Sequence, residues 1–157
     1  MKKQTEKRIR VLGTILFLAY LALLVYLLFF AERYGRGADA EYRVNRVPLL
    51  EIRRFLENRD TLGNWAVFLN VYGNVLLFVP FGAILPVLHR VFRHFQVSLA
   101  YGMILSVTVE LIQFATRRGS CDVDDVLLNT LGCAIGYLLF ALLRKCTALR
   151  NRGKRGR

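Results

Sequence analysis

Four long apolar stretches constrain the fold of this chain more than any other feature of its sequence. They cover residues 11–31, 65–88, 95–116 and 126–143, and Glu110 is the one charged residue within them. A bilayer core about 30 Å thick requires roughly 20 apolar residues in a helix, and each stretch is close to that length. Backbone polar groups in lipid must be satisfied within a helix or a closed barrel. We therefore predict an all-α polytopic membrane protein with a four-helix transmembrane bundle.

The composition agrees with a membrane protein and excludes several other classes. Hydrophobic residues make up 55% of the 157 residues, yet the formal net charge is +12. The charges are concentrated in the ends and loops, whereas a basic nucleic-acid-binding protein would mix them with its apolar residues. Intrinsic disorder, a disulfide scaffold and an ordinary soluble enzyme are disfavoured for the same reason. We expect membrane lipid, and no nucleic acid, as a partner.

The distribution of Lys and Arg predicts the orientation of the bundle, because these residues favour the cytoplasmic ends of spans. With both tails inside, 14 of them would be cytoplasmic and nine external. We therefore predict a basic cytoplasmic tail at 1–10, a transmembrane anchor at 11–31 and a second basic cytoplasmic tail at 144–157. A cleaved signal peptide is the alternative for the first stretch, but its apolar part would span only about 7–15 residues.

A shorter amphipathic pattern lies between the first and second spans. After Pro48, one helical face carries Leu49, Leu50, Ile52, Phe55 and Leu56, and the other carries Glu51, Arg53, Arg54 and Glu57. Such a segment is typical of a helix that lies in the membrane interface. A helix packed over the end of the bundle is the alternative, and the pattern favours the two equally.

Three of the spans carry a stripe of small or polar residues at helical spacing. The second has Asn70 and Asn74; the third has Gly102, Ser106, Glu110, Gln113 and Arg117; the fourth has Asp122, Asp125, Asn129, Gly132 and Gly136. Small residues allow close helix packing, and amides form interhelical hydrogen bonds. We interpret Gly132 and Gly136, together with Pro80 and Gly82 in the second span, as packing residues. For the three asparagines, packing and function are equally well supported.

Glu110 indicates a functional site, because an acid within a span is costly unless it is paired or neutralised. It lies six residues before Thr116, roughly 9 Å from that end of the helix. The other polar residues fall near the same end, and we predict that they form a ligand-binding site: Asn74, Glu110, Gln113, Arg117, Arg118, Asp122, Asp125 and Asn129. Glu110 and Asp125 are the candidates for acid–base catalysis. Helix capping is the alternative for Asp122 and Asp125, and Asp124, off the stripe, is expected to cap or to face solvent.

The sequence predicts no metal site and no cofactor. Cys121, Cys133 and Cys146 form no C-x-x-C pair. His89 and His94 lie in the short loop that the predicted topology places on the opposite side from Glu110. No phosphate-binding loop, zinc motif or nucleophile motif is present.

Three motifs from about residue 47 to 143 resemble the VanZ-like family. They are Asn74-Val-Leu-Leu-Phe-Val-Pro-Phe-Gly82, Glu110-Leu-Ile-Gln113, and the run of Asp122, Asp125, Asn129, Gly132 and Gly136. The family often has an arginine before the acidic turn, where this chain has both Arg117 and Arg118. The resemblance implies a bacterial integral membrane protein of the plasma membrane, in a family named for a member associated with low-level teicoplanin resistance. It does not supply a reaction.

Three functions are compatible with these patterns. The first is a binding or accessory protein whose site engages a lipid, a lipid-linked cell-wall precursor or a lipophilic glycopeptide. The second is a membrane enzyme that acts on a lipid-linked substrate through Glu110 and Asp125. The third is a small transporter, which the scarcity of polar residues in the inner half of each span disfavours. The sequence does not predict the oligomeric state.

Overall fold

A computed structural model describes residues 2–29, 44–116 and 121–153, and it is almost entirely helical. The long helices are α1 (Lys2–Phe29), α5 (Asn74–Leu88), α6 (Phe95–Thr116) and α7 (Val123–Gly153), and the short ones are α2 (Leu50–Glu57), α3 (Arg59–Leu62) and α4 (Asn64–Val67). A π-helix (Phe68–Gly73) joins α4 to α5, and a 3₁₀ turn (Arg90–Arg93) joins α5 to α6. Four segments are long and apolar enough to cross a membrane: Val11–Phe29, Phe68–Leu88, Phe95–Thr116 and Val123–Ala148. The predicted all-α, four-span architecture is therefore confirmed.

Contacts along α6 and α7 show that these two helices are antiparallel. The rings of Phe95 and Tyr137 lie 5.3 Å apart, between centroids, at one end. Further along, the Nδ2 of Asn129 donates to the Oγ of Ser106 at 2.9 Å. The residue number rises along α6 as it falls along α7, and Glu110 therefore lies at the end of the bundle where α7 begins.

Helices α5 and α7 run in parallel and approach closely along a line of glycines. A Cβ atom added to Gly132 would lie 2.1 Å from the carbonyl oxygen of Val75, and one on Gly136 would lie 2.0 Å from that of Val79. From the facing helix, a Cβ on Gly82 would lie 2.0 Å from the carbonyl oxygen of Cys133. Backbone meets backbone at these points, so the glycines set the separation of the two helices.

Helix α1 packs against α5 in the antiparallel sense. The rings of Phe17 and Phe81 have centroids 5.8 Å apart, and the hydroxyl of Tyr20 donates to the carbonyl oxygen of Leu77 at 2.8 Å. Nearer its end, Leu24 and Leu28 are buried in a core cluster with Phe78 and Val109. Most of the remaining apolar side chains of α1 are exposed, as expected for a helix that faces lipid.

The second span differs from a uniform helix. Its first part is the π-helix, which the sequence did not predict, and α5 then continues through Pro80 and Pro86 to Leu88. The first and last long helices, α1 and α7, extend beyond the apolar stretches that predicted them. α1 begins at Lys2 and includes most of the predicted tail, while α7 begins at Val123 and ends at Gly153.

The predicted amphipathic helix is present as α2, at the end of the bundle where α7 begins. A two-residue strand before it, β1 (Val44–Asn45), pairs in parallel with a second one, β2 (Cys121–Asp122), so that Val44 lies opposite Cys121 and Asn45 opposite Asp122. We call the end of the bundle where α2 lies and α7 begins the α2 end. The opposite end carries the 3₁₀ turn, the start of α1 and the end of α7.

Candidate functional site

Three buried carboxylate side chains lie at the α2 end, and we call them the polar cluster: Glu110, Asp122 and Asp124. Glu110 is only 3% exposed and lies between buried Ser106 and Gln113 on the same helix. Its Oε2 accepts the backbone N–H of Asp122 at 2.9 Å. The carboxylate thereby fixes the start of β2 and α7 to the last turns of α6.

Asp122 connects the three chain segments that meet here. Its Oδ1 accepts the backbone N–H of Asp124 at 2.8 Å, which caps the first turn of α7. The same oxygen accepts the side-chain Nδ2 of Asn45 at 2.8 Å, across the β1–β2 pair. The sequence predicted the cap. It gave no sign of the Asn45 contact, because a two-residue strand has no periodicity.

The electrostatics of this turn follow from burial among carboxylates. Burial raises the pKa of the Asp122 carboxyl above its ordinary value of 3.8, and the charges of Asp124 and Glu51 add to the rise, although the hydrogen bonds from Asp124 and Asn45 oppose it. Burial also raises the pKa of the neighbouring Cys121 thiol. Glu110 and Asp122 raise the thiol pKa further, while Arg46 lowers it.

Asp124 has the most unexpected position in the site. It is only 1% exposed, and its carboxylate caps α2 rather than its own helix. Oδ1 accepts the backbone N–H of Leu49 at 2.5 Å, and Oδ2 accepts those of Glu51 and Ile52 at 2.8 and 3.2 Å. The sequence predicted a local cap or a solvated group. The solvated reading is wrong, since the carboxylate satisfies N-terminal amides of a helix about 75 residues away in sequence.

The remaining polar residues form separate pairs below the cluster. The Nδ2 of Asn74 donates to Oδ1 of Asp125 in a short hydrogen bond and to the carbonyl oxygen of Asn70 at 3.2 Å. Asn129, one turn beyond Asp125 and 1% exposed, bonds to Ser106 between α6 and α7. Asn129 therefore lies within the helix interface rather than beside the polar cluster.

Gln113 links the site to the first span. Its Nε2 donates to the carbonyl oxygen of Leu28 at 3.1 Å, and the side chain is buried. Leu28 lies close to the last described residue of α1, Phe29. The first span, predicted as an anchor, thus also contributes a backbone group to this end of the bundle.

Two of the predicted binding residues, Arg117 and Arg118, lie outside the described residues. Among those described, Asn74 and Asp125 meet directly, as do Glu110 and the backbone of Asp122. Within the described ranges no three His, Cys, Asp or Glu side chains converge as a metal site would require. The donors and acceptors present suit hydrogen bonding to hydroxyl, amide or ammonium groups.

Comparison with known proteins gives a consistent result over most of the chain. The profile of the VanZ/LLP1 family matches residues 17–144. Protein VanZ of Enterococcus faecium is 30% identical over 139 residues, which cover 87% of this chain and 78% of that protein. No solved structure matches the chain significantly. The family match extends from α1 into α7 and includes every residue of the polar cluster.

Proposed function

The chain belongs to the VanZ/LLP1 family, and we propose that it is a plasma-membrane protein that binds a lipophilic glycopeptide or a lipid-linked cell-wall precursor at the α2 end and lowers susceptibility to teicoplanin. The observation that carries this proposal is the buried carboxylate of Glu110, bonded to Asp122 within a span. An acid at such a position marks a site by default, because its burial is costly. The match to Protein VanZ supports the connection to envelope antibiotics.

The contacts of the acids favour binding over catalysis. An oxygen of Glu110 accepts the N–H of Asp122, and an oxygen of Asp125 accepts the amide of Asn74. Both groups are held as acceptors in fixed positions, which suits the recognition of hydroxyl or ammonium groups. A membrane enzyme with Glu110 and Asp125 as an acid–base pair is the second candidate. It predicts a product that accumulates with the wild type but not with Glu110→Gln or Asp125→Asn.

The proposal places the α2 end on the outer face of the membrane, with both tails inside. Basic residues at the opposite end support this, since Arg90 and Arg93 lie in the 3₁₀ turn and Arg144 and Lys145 in the exposed end of α7. Cys121 and Cys146 provide a direct test, because they lie at opposite ends of the bundle. In intact cells a membrane-impermeant maleimide should label Cys121, and Cys146 only after permeabilisation. The reverse order would overturn the orientation.

Susceptibility of a sensitive Gram-positive host to teicoplanin tests the function. The strains carry empty vector, wild type, Glu110→Gln, Asp125→Asn or the control Asp60→Asn at matched membrane expression. The Asp60 side chain is 95% exposed on α3, so its substitution removes an acid without touching the site. We expect wild type and Asp60→Asn to protect and the other two to fail. No protection by the wild type would overturn the resistance proposal, and protection by Glu110→Gln would overturn the role of the buried charge.

A further inference from the structure

We propose that residues 44–57, comprising β1 and α2, form a lipid-supported lid over the polar cluster, and that Asp124 is the positioning residue that latches it. This inference rests on the proposed function, for which the lid would control access to the site. It goes beyond that function by assigning a role to Asp124 and to α2.

The latch is a charge-assisted cap that joins two distant helices. Three backbone N–H groups at the start of α2 donate to the single carboxylate of Asp124. Hydrogen bonds to a charged group are roughly twice as strong as neutral ones, and a buried carboxylate left without them would be strongly destabilised. The start of α2 has no side-chain cap of its own, so Asp124 is its cap.

Backbone strain at the same point opposes the latch. Leu49 has φ 65° and ψ 6°, in the left-handed region that residues other than glycine rarely adopt. Its N–H is one of the three groups bonded to Asp124. Loss of the carboxylate would therefore both release α2 and allow Leu49 to relax to an ordinary conformation.

The lid covers the polar cluster through its strand. β1 pairs with β2 so that Asn45 bonds to Asp122 and Val44 lies opposite Cys121. Asp122 is in turn held by Glu110. Movement of the lid would remove the Asn45 contact and expose Cys121 together with the carboxylates beside it.

The outward face of the lid fits a lipid surface as its support. Val47, Leu49 and Leu56 are each about half exposed or more, although they are large and apolar. This surface is continuous along the chain with Trp65, which stacks on Phe68 at 5.6 Å at the start of the second span. Arg46, Arg53 and Arg54 lie within the segment, where Arg53 and Arg54 pair with Glu57 and Glu51. The segment keeps a small excess of positive charge, which suits anionic headgroups. A lipid-linked ligand would reach the lid from this same surface.

The native cysteines allow the lid to be tested without a ligand. The purified full chain in phosphatidylglycerol-containing nanodiscs is treated with a maleimide, and the labelling rate at each cysteine is followed by peptide mass spectrometry. Exposed Cys146 reports the intrinsic reactivity, and fully buried Cys133 reports unfolding. Partly buried Cys121, whose thiol pKa is raised, should react slowly in the wild type.

Asp124→Asn should increase the Cys121 rate about tenfold, as expected from the loss of hydrogen bonds to a charged acceptor. Asp60→Asn, an acid-to-amide change at an exposed site, should leave the rate unchanged. An unchanged Cys121 rate in Asp124→Asn, with Cys133 still protected, would overturn the latch.

A second pair of variants keeps the test decisive if Asp124→Asn does not fold. Leu49→Gly relieves the backbone strain at this position and should slow the labelling of Cys121. Leu49→Val increases the strain and should make the labelling faster. The same change in both variants would refute the lid. Because these rates are measured without glycopeptide, a failure of the resistance proposal would leave the lid result standing, and the reverse also holds.

Discussion

The carboxylate of Glu110 and the backbone N–H of Asp122 form a buried hydrogen bond of 2.9 Å between the end of α6 and the start of α7. An acid inside an apolar helix is thus used to hold a main-chain donor of the following segment. Asp122 in turn caps α7 and binds Asn45 of the lid. The buried side chains of Glu110 and Asp122 together thus connect α6, the start of α7 and β1.

This contact predicts different outcomes for two substitutions of Glu110. Glu110→Gln keeps a carbonyl oxygen that can accept the N–H of Asp122, whereas Glu110→Ala leaves that buried donor without its partner. The alanine variant should lose about 1–3 kcal/mol of stability, and the glutamine variant should stay nearer to wild type. Thermal unfolding in detergent measures both. Equal destabilisation by the two changes would show that the charge, rather than the acceptor, stabilises the turn.

Gly136 should tolerate no larger residue. A Cβ atom there would lie 2.0 Å from the carbonyl oxygen of Val79, so Gly136→Ala must force α5 and α7 apart. Overpacking of this kind costs about 1–3 kcal/mol, and here both partners are backbone. Gly73→Ala is the matched control, because its Cβ would lie 3.9 Å from the nearest atom, the carbonyl oxygen of Phe68. Gly136→Ala alone should lower the yield of folded protein in size-exclusion chromatography and lower the temperature of thermal unfolding.

The raised pKa of Asp122 predicts a pH-dependent contribution to stability. The folded state binds this proton more tightly than the unfolded state, whose carboxyl titrates near 3.8. The contribution of Asp122 is therefore greatest at acid pH and falls as the pH rises from about 3.8 through the raised folded value. Asp122→Asn, which keeps the acceptor oxygen, should remove this part of the dependence, whereas Asp60→Asn should not. If the free energy of unfolding changed with pH by the same amount in Asp122→Asn and wild type over this range, the assignment to Asp122 would be contradicted.

Trp65 is the single tryptophan and reports the depth of the segment that follows the lid. It is 70% exposed and stacks on Phe68 at the start of the second span. Aromatic residues at such positions favour the membrane interface. Phospholipids brominated near the headgroup should therefore quench its fluorescence more than those brominated near the chain ends. Ile104→Trp in a Trp65→Phe background places the probe mid-span, at an exposed position, and should reverse the order.

The candidate site was predictable where it follows helical periodicity. The spacing of Glu110, Gln113, Asp122 and Asp125 placed these residues near one end of the bundle, and the directions of α6 and α7 agree with that placement. Which partner each residue takes was not predictable. Gln113 bonds to a carbonyl of the first span, and Asn129 bonds to Ser106, because the rotation of each helix is decided by packing against its neighbours.

By itself, the sequence determined the four spans and the amphipathic helix, because helix length and apolar periodicity are local properties that lipid and water enforce. Only the tertiary structure decided that Asp124 caps α2, that Asn45 meets Asp122 and that a π-helix opens the second span. The two contacts join residues more than 70 positions apart in the chain. A contact between distant segments leaves no periodic signal in either of them.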